Sequence, residues 1–319
     1  FLSAQSGNTG GLTWAAVPAT STADILTATT IQKTATANIG LGANAVNSIT
    51  TGDNNVGVGH NSLTGTTSGS NNTSIGYASL QDNSTGANNT AVGGDALTSN
   101  TTAEYNVGIG YQAGTAITTG SYNTVLGTMA LKTATSASRN VAIGVSAAQS
   151  ITDGTHNTAV GTNAMSSLTT HSYNTAVGSN ALNATTTAHA NTAVGYSALA
   201  LNTTGSSNVA IGMVALTANT TGVGNNAMGS DALASNTTGT ENTGIGHIVL
   251  MDNTTGGYNT AIGSSALENN TTASNNVAVG TAALKANTTG GKNTALGKGA
   301  SQLNTTGYHQ TSVGYHALN

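Results

Sequence analysis

Seven histidines, ten carboxylates and nine tyrosines are the side chains in this 319-residue chain that could move a proton, hold a metal or grip a ligand. Their spacing argues against the first two tasks. No histidine has a second histidine or an acid four residues away, the spacing that puts two zinc ligands on one helix face, and there is no cysteine to supply a thiolate or a disulfide. Asp95 and Asp231 occupy equivalent places in the chain but lie far apart along it, so they form no general acid–base pair. The glycine-rich text carries neither a phosphate-binding loop with its lysine nor a calcium-binding Gly-Gly-x-Gly-x-Asp repeat. The sequence therefore reads as non-enzymatic, with no cofactor and no metal. The tyrosines leave one opening. Tyr105, Tyr122, Tyr173 and Tyr258 each precede an asparagine of the repeat described below, while Tyr77, Tyr111, Tyr196 and Tyr315 each follow a glycine. Both places read as exposed turns, suited to packing against neighbouring chains or to stacking on a sugar.

What positions these side chains is a period of seventeen residues. A glycine that closes a small-aliphatic-Gly pattern recurs without slippage at Gly42, Gly59, Gly76, Gly93, Gly110, Gly127, Gly144, Gly161, Gly178, Gly195, Gly212, Gly229, Gly246, Gly263, Gly280, Gly297 and Gly314. A short, unbroken period is the signature of stacked coils of one structural unit. Such an array makes a rod or a surface more readily than a catalytic pocket.

With the glycine as position zero, position −4 is asparagine in sixteen of seventeen copies. These are Asn38, Asn55, Asn72, Asn89, Asn106, Asn123, Asn140, Asn157, Asn174, Asn191, Asn208, Asn225, Asn242, Asn259, Asn276 and Asn293, with Gln310 the exception. Position −3 is Thr, Val or Ile except at Asn226, −2 is small with Val125 the largest, and −1 is always aliphatic or Met. Position +3 is mostly Ala and +4 mostly Leu, and later copies add Asn-Thr-Thr-Gly from +7 to +10. The pattern predicts a short strand, a turn, a second short extended segment and another turn. Strand side chains alternate between faces, so −3 and −1 share one face and −2 takes the other. We assign the bulky −1 face to the coil interior, closed by the +4 leucine, and the small −2 face to close approach by a neighbouring chain. The glycine is expected to turn a corner in a conformation closed to other residues. The −4 asparagine is expected to bond backbone and its own copies above and below. A helix is excluded by the β-branched residues and the glycine that follows them.

Composition agrees with stacking. Charged residues make up 5% and aromatics 3%. A charge at a repeated position would stand beside its own copies, whereas Asn and Thr form neutral ladders. The Asn-x-Thr triplets at Asn202, Asn219, Asn236 and Asn253 resemble glycosylation acceptors but read better as such ladders. A net charge of −4 gives no footprint for nucleic acid, and no apolar run approaches the length of a membrane span. One coil holds few aliphatic side chains against the entropy of ordering seventeen backbones, so companion chains are expected to share the load.

Residues 1–37 lie outside the period, with Trp14, Pro18 and a Ser/Thr/Ala-rich stretch that reads as a connector; the repeats fill 38–319. The chain opens on Phe1 and its last repeat is incomplete, so we expect a piece of a longer protein. Middle copies depart from the pattern: Ile49, Ile117, Ile151 and Leu168 replace the later Asn at +7, and Gly114, Ala148 and Ser301 replace Leu at +4. Drift in a redundant array, or a local bend around 110–190, would account for this.

The run from Asn191 to Leu199, Asn-Thr-Ala-Val-Gly-x-x-Ala-Leu, resembles the head repeats of YadA-type trimeric adhesins, and Asn208-Val209-Ala210-Ile211-Gly212 matches their wording closely. The coils here are longer than in those heads. The combination of Asn-Thr-Ala-Val-Gly with Asn-Thr-Thr-Gly is more similar still to long repeats of phage tail-fibre proteins, as is the opening from Phe1 to Ala15. The resemblance implies an all-β, left-handed parallel β-solenoid (β-roll) assembling as a homotrimeric fibre in a virion. The expected function is a tail-fibre shaft that positions a distal receptor-binding tip. A bacterial surface adhesin head that grips host glycans is the alternative, and an ice-binding solenoid using the Thr203 and Thr204 rows is a third. The partners implied are further copies of the chain and host cell-surface glycans, with neither nucleic acid nor membrane insertion.

Overall fold

The computed structural model describes residues 29–30 and 37–318. Most of the expected connector, with Trp14 and Pro18, lies outside the described residues. Within them there is no helix. A first strand, β1 (Thr29–Thr30), is followed by β2 (Ile39–Leu41) and then by one three-residue strand per coil as far as β18 (Thr311–Val313). From β2 onward every strand pairs in parallel with the strand seventeen residues on, residue for residue, as in Thr175 with Thr192 and Thr192 with Val209. β1 is the exception and runs antiparallel to β2. The chain is thus an all-β parallel solenoid of about 16 turns, and the irregular middle copies keep the same register without a break.

Only one segment per coil is a regular strand; the expected second extended segment is instead a run of turns. It is hydrogen-bonded from coil to coil all the same. Leu199 N–H donates to Ala215 O at 2.9 Å, Thr203 N–H to Thr220 O at 2.9 Å and Ser207 N–H to His189 O at 3.1 Å. Turns replace a second strand because positions +2, +4 and −5 all take left-handed backbone, as at Ser197 (φ 52), Leu199 (φ 54) and Ala190 (φ 56). Together with the corner glycine, such as Gly195 (φ 137), these make four positive-φ positions in each coil of seventeen residues, and they close the loop.

The assignment of faces is the reverse of our expectation. The small residue at −2 points inward: Ala91, Ala142, Ala193 and Ala261 are fully buried. The aliphatic residue at −1 faces outward, with Leu41, Ile75, Ile211 and Leu296 all exposed. The cause is the narrow lumen. The +4 leucines, such as Leu97 and Leu233, fill it from the turn side and leave the strand room for little more than a methyl group. Where −2 is glycine the +4 side chain has moved in, so a Cβ built on Gly108 would stand 2.7 Å from Cγ of Leu97.

Candidate interaction surface

Interior and exterior are ordered by the same repeat. The −4 asparagines form a buried column in which the amide bonds a backbone carbonyl of its turn and, in most coils, the amide of the coil before. Asn208 Nδ2 donates to Gly222 O at 2.9 Å and to Asn191 Oδ1 at 3.3 Å, while Asn191 Oδ1 also accepts the Asn208 backbone N–H at 3.0 Å. Gln310 continues the column, donating its backbone N–H to Asn293 Oδ1. A second buried column runs through the +7 asparagines of the later coils: Asn219 Nδ2 donates to Asn202 Oδ1 at 2.8 Å and to Gly222 O at 3.1 Å. The asparagine side chains of the Asn-x-Thr triplets, Asn202, Asn219, Asn236 and Asn253, are therefore buried in the stack. At +8 the Thr203 hydroxyl donates to Thr220 O at 2.9 Å, and this row too is committed along the axis.

The corner glycines have φ between 127° and 143°. A Cβ on Gly161 would stand 2.6 Å from the carbonyl oxygen of Gly178 in the next coil. The corner is closed to L side chains twice over, by torsion and by the approach of the neighbouring backbone.

Outward of this frame lie two features. The first is the sheet face. Positions −3 and −1 of all seventeen coils carry no charged residue. The −1 row is an unbroken line of Leu, Ile, Val and Met, half-exposed or exposed along its length. Across the corner glycine it is joined by further exposed apolar or aromatic groups at +1, including Tyr77, Tyr111, Val145, Tyr196 and Met213.

The second feature is the ring column at −5. Tyr105, Tyr122, Arg139, His156 and Tyr173 follow one another in successive coils. Tyr105 and Tyr122 stack at 5.0 Å with planes 8° apart, the Arg139 guanidinium lies 5.5 Å from the centroid of Tyr122, and His156 stacks on Tyr173 at 5.3 Å. Since the stacking distance is close to the coil rise of ~4.8 Å, ring faces are occupied by neighbours along the axis and ring edges point outward. Of the four tyrosines singled out in the sequence, three therefore sit in one column. Tyr258 stands apart, exposed between Glu241 and Asn275, with no ring partner among the described residues. Among these four tyrosines, face-on stacking of a sugar is restricted to the column's ends and to Tyr258.

His171 and His189 are brought together with ring centroids 6.3 Å apart, and no group of three or more His, Asp or Glu able to hold a metal occurs among the described residues. The sole ion pair among those residues, Lys285 with Glu268 at 3.2 Å, joins equivalent positions in consecutive coils. Comparison with known proteins adds no relative: the chain matches no family model, no curated protein and no solved structure.

Proposed function

We propose that the chain is the shaft of an extracellular fibre, a left-handed β-roll that packs side by side with two further copies through the −3/−1 sheet face. The observation that carries this reading is the uncovered row of aliphatic side chains at −1. Seventeen coils at ~4.8 Å give a strip about 80 Å long and roughly 10 Å wide, on the order of 800 Å². That exceeds the largest apolar patch usual on a monomer, roughly 300–600 Å². It also matches one partner's share of a standard interface, about 800 Å². The closed hydrogen-bonding around each coil gives a stiff spacer with few protruding loops, which suits a tail fibre of a virus particle that holds a receptor-binding tip away from its base.

The test is the mass of the particle in solution. Light scattering is expected to give three chains for the native protein, and one chain for the variant Ile211→Lys with Ile245→Lys, which places two charges on the strip without touching the lumen. A stable native monomer at micromolar concentration would refute the reading. The adhesin alternative gains support from one observation, the exposed ring column from Tyr105 to Tyr173, and would place the protein on a bacterial surface. The ice-binding alternative is weakened because the +8 hydroxyls are spent within the stack, leaving a single exposed threonine row at +9.

A further inference from the structure

A recess of about 280 Å³ opens at the corner between positions +9 and −5 near the later coils. Ser274, Asn275, Thr289, Gly291, Lys292 and Tyr308 are among its lining residues. The sequence explains the opening. Position −6 carries a hydroxyl in many coils, and where it is serine the oxygen accepts the −6 backbone N–H of the coil before it. Ser172 Oγ accepts from Thr155 at 2.9 Å, and Ser274 Oγ from Gly257 at 3.0 Å. At Gly291 the hydroxyl is missing. The N–H of Ser274 therefore loses its usual acceptor, as happens wherever the next coil lacks a −6 hydroxyl, but here the vacated space is bounded by ligand-binding groups. A Cβ on Gly291 would stand 3.3 Å from Cε1 of Tyr308, so the tyrosine ring lies against the bare glycine and walls the recess. Lys292 stands at its rim with no carboxylate partner among the described residues, and no acid lines the site.

An aromatic wall, hydroxyl and amide groups, an unfilled backbone donor and one ammonium group select a ligand with an apolar C–H face, several hydroxyls and a negative charge. We propose that this recess binds one carboxylated pyranose unit of an acidic glycan. The volume suits a single sugar ring, and the proposal is independent of the shaft reading, since it needs only the stack itself.

The experiment is a titration of the full chain with methyl glucuronide and with methyl glucoside, followed by saturation-transfer NMR. Expected is saturable binding of the glucuronide, with the glucoside weaker by about tenfold for want of the charge. Gly291→Ser, which installs the residue that coils at Ser172 and Ser274 already carry, and Lys292→Asn, which copies Asn275, should each weaken glucuronide binding about tenfold or more while leaving circular dichroism unchanged. Gly257→Ser, the same change two coils earlier, should leave binding as it was. Absence of saturable glucuronide binding, equal binding of the two sugars, or unchanged binding by Gly291→Ser would each overturn the proposal.

Discussion

At the residue scale, two glycines seven residues apart meet the same obstacle for different reasons. A Cβ on Gly161 would stand 2.6 Å from Gly178 O, and one on Gly154 would stand 2.5 Å from His171 O. Gly161 has φ 131°, whereas Gly154 is not among the left-handed glycines, and its column already accepts Ala103, Ala137, Ala188 and Ala273. Gly161→Ala is therefore expected to cost about 1–3 kcal/mol from torsion alone, with the collision in addition. Gly154→Ala should cost well under half as much. Paired thermal melts check both. The asparagine column gives a second prediction. Asn191→Ala leaves the Asn208 N–H without its buried acceptor, at roughly 1–3 kcal/mol, while Gly205 O keeps one of its two donors, Asn202 Nδ2. Asn191→Asp should be worse, because a carboxylate offers no donor to Gly205 O or to Asn174 Oδ1 and is buried between neutral groups. Denaturant midpoints should fall in the order native, alanine, aspartate.

At the element scale, the interior works by volume exchange between neighbouring coils. The −2 residue of one coil packs on the +4 residue of the coil before, as the approach of a Gly57 Cβ to Val46 (2.9 Å) and of a Gly108 Cβ to Leu97 (2.7 Å) indicates. In the same register the largest −2 residue, Val125, follows the smallest +4 residue, Gly114. Gly114 is also crowded by Ile117, whose Cδ1 would lie 2.9 Å from an added Cβ. The irregular middle copies are thus compensated packing, and the register shows no break there. Gly114→Leu alone should destabilise by about 1–3 kcal/mol through overpacking. Adding Val125→Ala and Ile117→Asn, which restores the later coils' combination, should recover most of the loss in a mutant cycle.

Packing also explains what could be read from the chain beforehand. The period, the strand at −3 to −1 and the corner glycine follow from local chemistry: β-branched residues favour extended backbone, and a strict glycine marks a forbidden torsion. Which strand face points inward does not, since alternation is symmetric and bulk suggested the wrong side. The usable signal was tolerance. Position −1 varies freely among Leu, Ile, Val and Met, whereas −2 stays at Gly, Ala or Ser apart from Val125, the mark of a confined site. The ring column was half legible, because the seventeen-residue spacing aligns Tyr105 with Tyr122 but is silent on which way the ring faces turn. The recess at Gly291 was not legible, since it depends on one missing hydroxyl and on where the Tyr308 ring falls.

At the scale of the whole molecule, every column depends on registration by seventeen. Deleting residues 192–208 removes one full coil and joins Asn191 to Val209, with all later columns still aligned. That variant should retain the β-sheet circular dichroism signal and melt cooperatively near the native temperature. Deleting 192–207 shifts every later residue by one place and turns the alanines out of the lumen, since a one-residue slip exchanges strand faces. It should lose the cooperative transition.

The reversed pairing of β1 on β2 has a bearing on growth. A parallel stack could in principle be extended end to end without limit by further molecules of the same kind, as amyloid is. Here the first coil is met by a strand running in the opposite direction, so an incoming molecule cannot dock there in the parallel sense the other coils use. The rod takes its direction from its parallel coils, and at the β2 edge that direction is opposed by two threonines.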